Sequence, residues 1–214
     1  MAQGLRYKFQ GSKLQVEKGS GTAVNITAAT KAVECVVTIA TGTPVVGDVL
    51  TLAGVVGMTE LNGQRVVVKS VASTLVTLFG IDSTGYTTYA SGGTATPAVF
   101  GDFCELTGID RSGGASADIP ASTICSDAEE SEVGLRSFGT LKLDFNYAPT
   151  SLVQVALQAA QAAGTQIAVK RVMPKAAGTT VWQGLVLETG EGAQVNDLWK
   201  GSASIKLTGA AFNY

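Results

Sequence analysis

Period-two alternation runs through most of this chain. Leu141, Leu143, Phe145 and Tyr147 are separated by Lys142, Asp144 and Asn146, the pattern of a strand with one face in a core and the other in water. Leu14 and Val16, then Val24 and Ile26, alternate in the same way around a turn at Gly19 to Gly21, and predict two short strands. From Lys31 to about Pro97 the strands become short and evenly spaced: Glu34–Ile39, Asp48–Leu52, Arg65–Val71 and Leu75–Phe79. Turn signals at Gly42 to Pro44, Asn62–Gly63 and Gly92–Gly93 bound them. This block reads as a small β module near the lower size limit for independent folding, and its tail, SGGTATP, reads as a linker. Beyond it, Phe103–Ile109 is a further strand candidate, and Asp110 to Gly134 is polar and glycine-bearing with no clear period. Ile167–Val172, Val181–Glu188 and Ser202–Thr208 are again strand-like, so the second half reads β-α-β-β-β, one helix on an antiparallel sheet or partly closed barrel.

The helix is Thr150 to Gly164. Ser151 and Gln154 have capping-box spacing, and Gly164 is suited to the left-handed residue that ends a helix. Leu152, Val155, Ala156, Ala159, Ala160 and Ala163 recur at three- and four-residue steps and predict the packing face. Gln154, Gln158 and Gln161 fall away from it. A face made mostly of alanine implies close approach to whatever it covers.

Composition narrows the function. A hydrophobic content of 45 % in 214 residues supports a real core, and 26 glycines with many Thr, Ser and Val suit a turn-rich β protein. A net charge of −2 argues against wrapping nucleic acid by phosphate neutralisation. The amino-terminal MAQGLRYKFQG lacks the apolar core of a signal peptide, and no run is long enough to span a bilayer; a soluble, unsecreted protein without membrane insertion is expected. The absence of histidine removes the commonest general base and metal ligand. Cys35, Cys104 and Cys125, odd in number and widely spaced, read as small buried hydrophobes.

Candidate chemistry is thin. Asp127, Glu129, Glu130 and Glu132 lack the alternation of a calcium loop and read as a solvated face. Asp102 and Glu105, three apart on a strand, point to opposite faces and do not form an acid pair. Gly113 to Ala115 does not open a helix with dinucleotide spacing, and no phosphate loop occurs, so a flexible connection is expected. Trp182 and Trp199 are expected to fill core or interface, and the Asn25-Ile26-Thr27 glycosylation triplet to carry nothing. The chain reads as a non-enzyme that needs no cofactor and no metal.

The segment CELTGIDRSGGASADIPASTICSDAEESEVGLRSFGTLKLDFNY, followed by a capped helix, a short strand, a tryptophan-bearing strand and KGSASIKLTG, resembles the major tail tube protein of long, non-contractile-tailed bacteriophages. The resemblance covers residues 1–30 and 99–214. Within 31–98, GMTELNG at Gly57 to Gly63 and DSTGYTTYASGG at Asp82 to Gly93 resemble a small β module inserted in phage tail proteins. It implies a mainly β fold, a tail-tube-type sandwich or barrel with one flanking helix plus an inserted β domain. It also implies hexameric rings stacked into a tube, a conduit through which DNA passes without specific binding. Tape measure, tail terminator and distal tail or baseplate proteins are the implied partners, and the virion tail, assembled in the host cytoplasm, the implied location. The stretch with Asp110, Arg111, Gly113, Gly114, Asp118, Asp127, Glu129 and Glu130 then corresponds to the loop that reaches the adjacent ring. Residues 31–98 are expected on the outer wall, with the helix covering the outer side of the tube-forming sheet. A ring protein of a contractile secretion machine and a carbohydrate-binding adhesin subunit, the latter suggested by Tyr86 and Tyr89, are the alternatives.

Overall fold

The computed structural model describes residues 6–214; the first five residues, part of the stretch read for a signal peptide and of segment 1–30, lie outside the described residues. The strands, in chain order, are β1 (Lys13–Ser20), β2 (Val24–Ala29), β3 (Val36–Ile39), β4 (Val49–Val56), β5 (Arg65–Ala72), β6 (Leu75–Leu78), β7 (Ser91–Asp102), β8 (Leu106–Ser112), β9 (Ser116–Pro120), β10 (Ser131–Arg136) and β11 (Thr140–Asn146). The helix α1 (Leu152–Ala163) follows, then β12 (Gln166–Val172), β13 (Thr179–Gly192), β14 (Lys200–Leu207) and β15 (Phe212–Asn213). The protein is mainly β, as its alternation predicts. Two units divide the chain: residues up to Cys104 with Ala168–Trp182 and Ala211–Tyr214, and Glu105–Ile167 with Gln183–Ala210.

In the first unit six strands close a barrel in the order β2-β3-β6-β5-β4-β7, with β7 returning to β2. Closure removes the free edges that a small sheet would otherwise expose. Ile26, Val37, Ile39, Leu50, Leu52, Val68 and Leu78 fill the interior, and Met58 and Leu61 join them from a short 3-10 turn. The alternate residues Val49 and Val67 point outward, yet they too are buried, against Ala168, Val181 and Phe212. Phe79 meets Phe212 at 4.8 Å between ring centroids. Arg65 pairs with Glu17, and Lys170 lies 3.7 Å from Asp48 and over the Phe100 ring. Burial pulls the Lys170 ammonium below its ordinary pKa, partly offset by Asp48.

The SGGTATP tail is the start of a twelve-residue strand, not a linker. Gly93 has φ +100° and a Cβ there would sit 2.6 Å from a Val55 methyl, so the glycine serves close passage of two strands. The first half of β7 closes the barrel against β4, and the second half pairs with β1 from Ser20↔Ala98 to Gln15↔Asp102. The Gly21 N–H donates to the Pro97 carbonyl at 2.7 Å, so the chain leaves β1 and re-enters β7 at neighbouring points.

In the second unit β8-β11-β14-β13 form an antiparallel sheet. Leu141, Leu143, Phe145, Ala203, Ile205 and Leu207 are buried on one side of it, together with Val153 and Leu157 of α1. Among the described residues the hairpin β9–β10 pairs only with itself. Of the cysteines Cys35 alone is buried; Cys104 and Cys125 are exposed because neither falls on a core-facing strand position. Trp182 is buried and Trp199 largely exposed.

Candidate assembly surfaces

Three surfaces of the second unit follow from its strand pattern. The first is the polar face of the four-stranded sheet. On β11 the buried positions alternate with Thr140, Lys142, Asp144 and Asn146, and on β14 with Lys200, Ser202, Ser204 and Lys206. The register sets Lys142 opposite both Asp110 and Ser204, and Asp144 opposite Ser202, while Glu188 and Gly190 of β13 continue the same rows. This face therefore carries three lysines and three carboxylates among hydroxyl, amide and glycine positions, with Leu185 opposite Lys206. A shallow depression of about 410 Å³ opens on it around Gly190, Gly192 and Ser202. The alternation in 141–147 marked the strand in the sequence, but the matching alternation in 200–207 was needed to reveal a continuous surface.

The second surface is an open edge. Among the described residues β8 pairs with β11 and with no other strand. At the opposite side of the same sheet, β13 has fourteen residues against seven in β12, which precedes it across the Met173–Gly178 turn. The distal stretch Glu188 to Gly192 has β14 as its ladder partner.

The third is the β9–β10 arm, where the sequence suggested a loop without period. Asp110 and Arg111 lie in β8, the Arg111 guanidinium donating to the Phe138 carbonyl at 3.3 Å. Gly113 and Gly114, with φ +78° and +99°, form the root beside Gly139. Asp118 is in β9 opposite Val133, and Asp127, Glu129 and Glu130 are exposed beyond the hairpin strands. The sequence therefore grouped residues of four kinds: a sheet strand, the glycine root, a hairpin strand and an exposed acidic tip. Val133 is 82 % and Leu135 92 % exposed. An isolated two-stranded ribbon with its apolar residues in water is marginal at best.

The helix face needs correction. α1 runs Leu152–Ala163 and ends at Gly164 with φ 62°, but its buried residues are Val153, Gln154, Leu157 and Ala160. Of the six expected, Ala160 is buried and Ala156 half-buried, whereas Leu152, Val155, Ala159 and Ala163 are exposed. Gln154 decides the rotation. Its amide accepts from the Ala148 N–H and donates to the Asn146 carbonyl, both at 2.9 Å, satisfying the end of β11. Ser151 makes no side-chain cap; its hydroxyl lies 3.5 Å from Glu105. The Glu191 carboxylate near the Tyr147 hydroxyl raises its phenol pKa, in a cleft of about 320 Å³ with Phe145, Leu157 and Gln158.

Among the described residues no His, Cys, Asp or Glu trio is placed to hold a metal ion, and no helix is long and apolar enough to cross a membrane. No curated protein matches the sequence. The sequence model of the family described as phage tail tube protein, TTP, matches residues 56–213, well over half of the chain.

Proposed function

Because the chain belongs to the phage tail tube protein family, a family of structural tail components rather than enzymes, we propose that it forms stacked hexameric rings whose bore conducts the genome. The observation that carries this reading is the β8-β11-β14-β13 sheet, apolar on one side, polar on the other, with an unpaired strand at its edge. Its four strands alternate in direction. Rotation about a ring axis preserves strand direction, so an even number lets β8 of one copy meet the distal end of β13 of the next as another antiparallel pair. A head-to-tail contact of this kind closes into a ring and uses up the open edge. The polar face then lines the bore, and α1 covers the outer side.

The arm of each copy reaches the adjacent ring, where its apolar residues find the burial that the protomer does not give them. Residues 31–98 form an inserted module on the outer surface, with β2 supplying a sixth barrel strand from just before it. The phage is of the long, non-contractile-tailed type. Tape measure, tail terminator and distal tail or baseplate proteins are the chain's partners, and the tube is assembled in the host cytoplasm.

Negative-stain microscopy tests both contacts. The purified chain is expected to give tubes of stacked rings, and a variant with residues 115–137 replaced by two glycines is expected to give single rings. Normal tubes from the deletion would overturn the stacking role of the arm; monomers from both proteins would overturn the ring.

A further inference from the structure

The six charges on the polar sheet face are spaced so that each lysine has a carboxylate close by. Lys142 is directly opposite Asp110 and two residues from Asp144 on the same side of β11. Lys200 is diagonal to Asp144 across the β11–β14 ladder and is also bonded to Asp197 at 2.9 Å. Lys206 is opposite Leu185 and reaches the Ser137 hydroxyl at 3.4 Å, with Glu188 the nearest carboxylate along β13, past the bulge between Val186 and Glu188. Direct neighbours on one sheet face lie about 5 Å apart and diagonal ones about 7–8 Å. That is within the Debye length of about 8 Å at physiological ionic strength. Compensation therefore acts before salt can screen one charge from the next. A passing phosphate meets pairs with little net field in place of isolated ammonium groups.

We propose that Asp110, Asp144 and Glu188 neutralise Lys142, Lys200 and Lys206, so that this surface passes a nucleic acid without retaining it. The inference rests on the reading that the face lines the bore. The lysines keep the surface hydrated and polar, and the carboxylates prevent counterion release when DNA comes near. Ser202, Ser204 and Gly190 between them add no charge and no bulky contact.

Removing the three carboxylates as D110N/D144N/E188Q leaves two uncompensated lysines per copy, Lys142 and Lys206, because Lys200 keeps Asp197. Counterion release gives a slope of about −0.9 in log K against log salt per neutralised phosphate, hence roughly −1.8 for two. Binding of labelled linear duplex DNA to the purified protein, as tubes and as subunits, is measured at 50 and 200 mM NaCl. The wild type is expected to bind weakly with a slope near zero. The triple variant is expected to bind about 12-fold tighter at the lower salt than at the higher. Adding K142Q/K200Q/K206Q should return it to wild-type behaviour. A wild type as salt-dependent as the triple variant, or a triple variant no tighter than wild type, overturns the inference. If the triple variant does not fold, E188Q alone, at an exposed position, should steepen the slope by about 0.9, and an unchanged slope overturns the inference. Microscopy of the same samples keeps the two readings apart. Charge-dependent binding by subunits that form no tubes sinks the bore but not the compensation, and tubes indifferent to the substitutions sink the compensation alone.

Discussion

The barrel is expected to be removable at one pair of cut points and not at another. Ser20 and Ala98 are register partners, and the Gly21 N–H reaches the Pro97 carbonyl. Residues 22–96 can therefore be replaced by a two-residue hairpin turn while β1 and the second half of β7 keep their ladder. A cut at 31–98 removes Ala98 from that ladder and leaves β2 without β3 and the first half of β7, its two partners. Ile26, 3 % exposed in the whole chain, then faces water on a strand with no sheet.

The cost of the better cut can be set from what the barrel covers. Val181 is 1 % and Phe212 7 % exposed beneath Val49, Val67 and Phe79. Uncovering two such side chains costs about 1.5–3 kcal/mol each, or roughly 3–6 kcal/mol together. Glu17 and Lys170 lose Arg65 and Asp48 but regain water, so the ion pairs add little to this sum. Urea unfolding of parent and 22–96 deletant is expected to differ by that amount, with the deletant still folded and still forming tubes in the microscope. The 31–98 deletant is expected to aggregate. A 22–96 deletant within 1 kcal/mol of the parent would refute the docking energetics. A soluble, tube-forming 31–98 deletant would refute the place of β2 in the barrel.

Gln154→Leu is expected to destabilise the subunit by about 2–4 kcal/mol, because it strands the Ala148 N–H and the Asn146 carbonyl in a buried site. Ala160→Leu should cost about 1–3 kcal/mol by over-packing, whereas Leu152→Ser, at a 67 % exposed position, should stay within about 0.5 kcal/mol of wild type in chemical denaturation; equal effects would put the wrong face against the sheet. Thiol titration of the folded protein should find Cys104 and Cys125 reactive and Cys35 protected. Desolvation raises the Cys35 pKa above its ordinary 9.0. The unfolded thiol then ionises first, and stability falls as pH rises above about 9. Cys35→Ala should flatten that alkaline limb, and an unchanged limb would remove Cys35 as its cause.

What could be read from the sequence depended on whether a segment buries one side. β11 was legible because Leu141, Leu143 and Phe145 all enter a core. The bounds of α1 were legible because Gly164 takes a left-handed conformation that few other residues tolerate. Its rotation was not, since alanine lies on both sides of the cylinder and Gln154, a polar residue, is bonded on the inside. The first half of β7 was hidden by SGGTATP, whose small residues allow strands to pass closely and resemble a linker for that reason. The arm had no period because both of its faces are exposed in the protomer, so nothing selects one side.

The same averaging affects charge. A net of −2 for the whole chain suggested a surface indifferent to DNA, but it is not a property of any one surface. Asp110 to Gly139 holds six carboxylates against two arginines, a net of −4, so the remaining chain is +2. The polar sheet face shares Asp110 with the acidic segment and draws its lysines from β11 and β14, and there the charges cancel in place. A chain of the same composition with Asp110 and Asp144 moved to the arm would keep the net charge of −2 and lose the cancellation. Register fixes which lysine stands beside which carboxylate, and strand pairing fixes register, so the electrostatics of this face is a consequence of the fold that no composition reports.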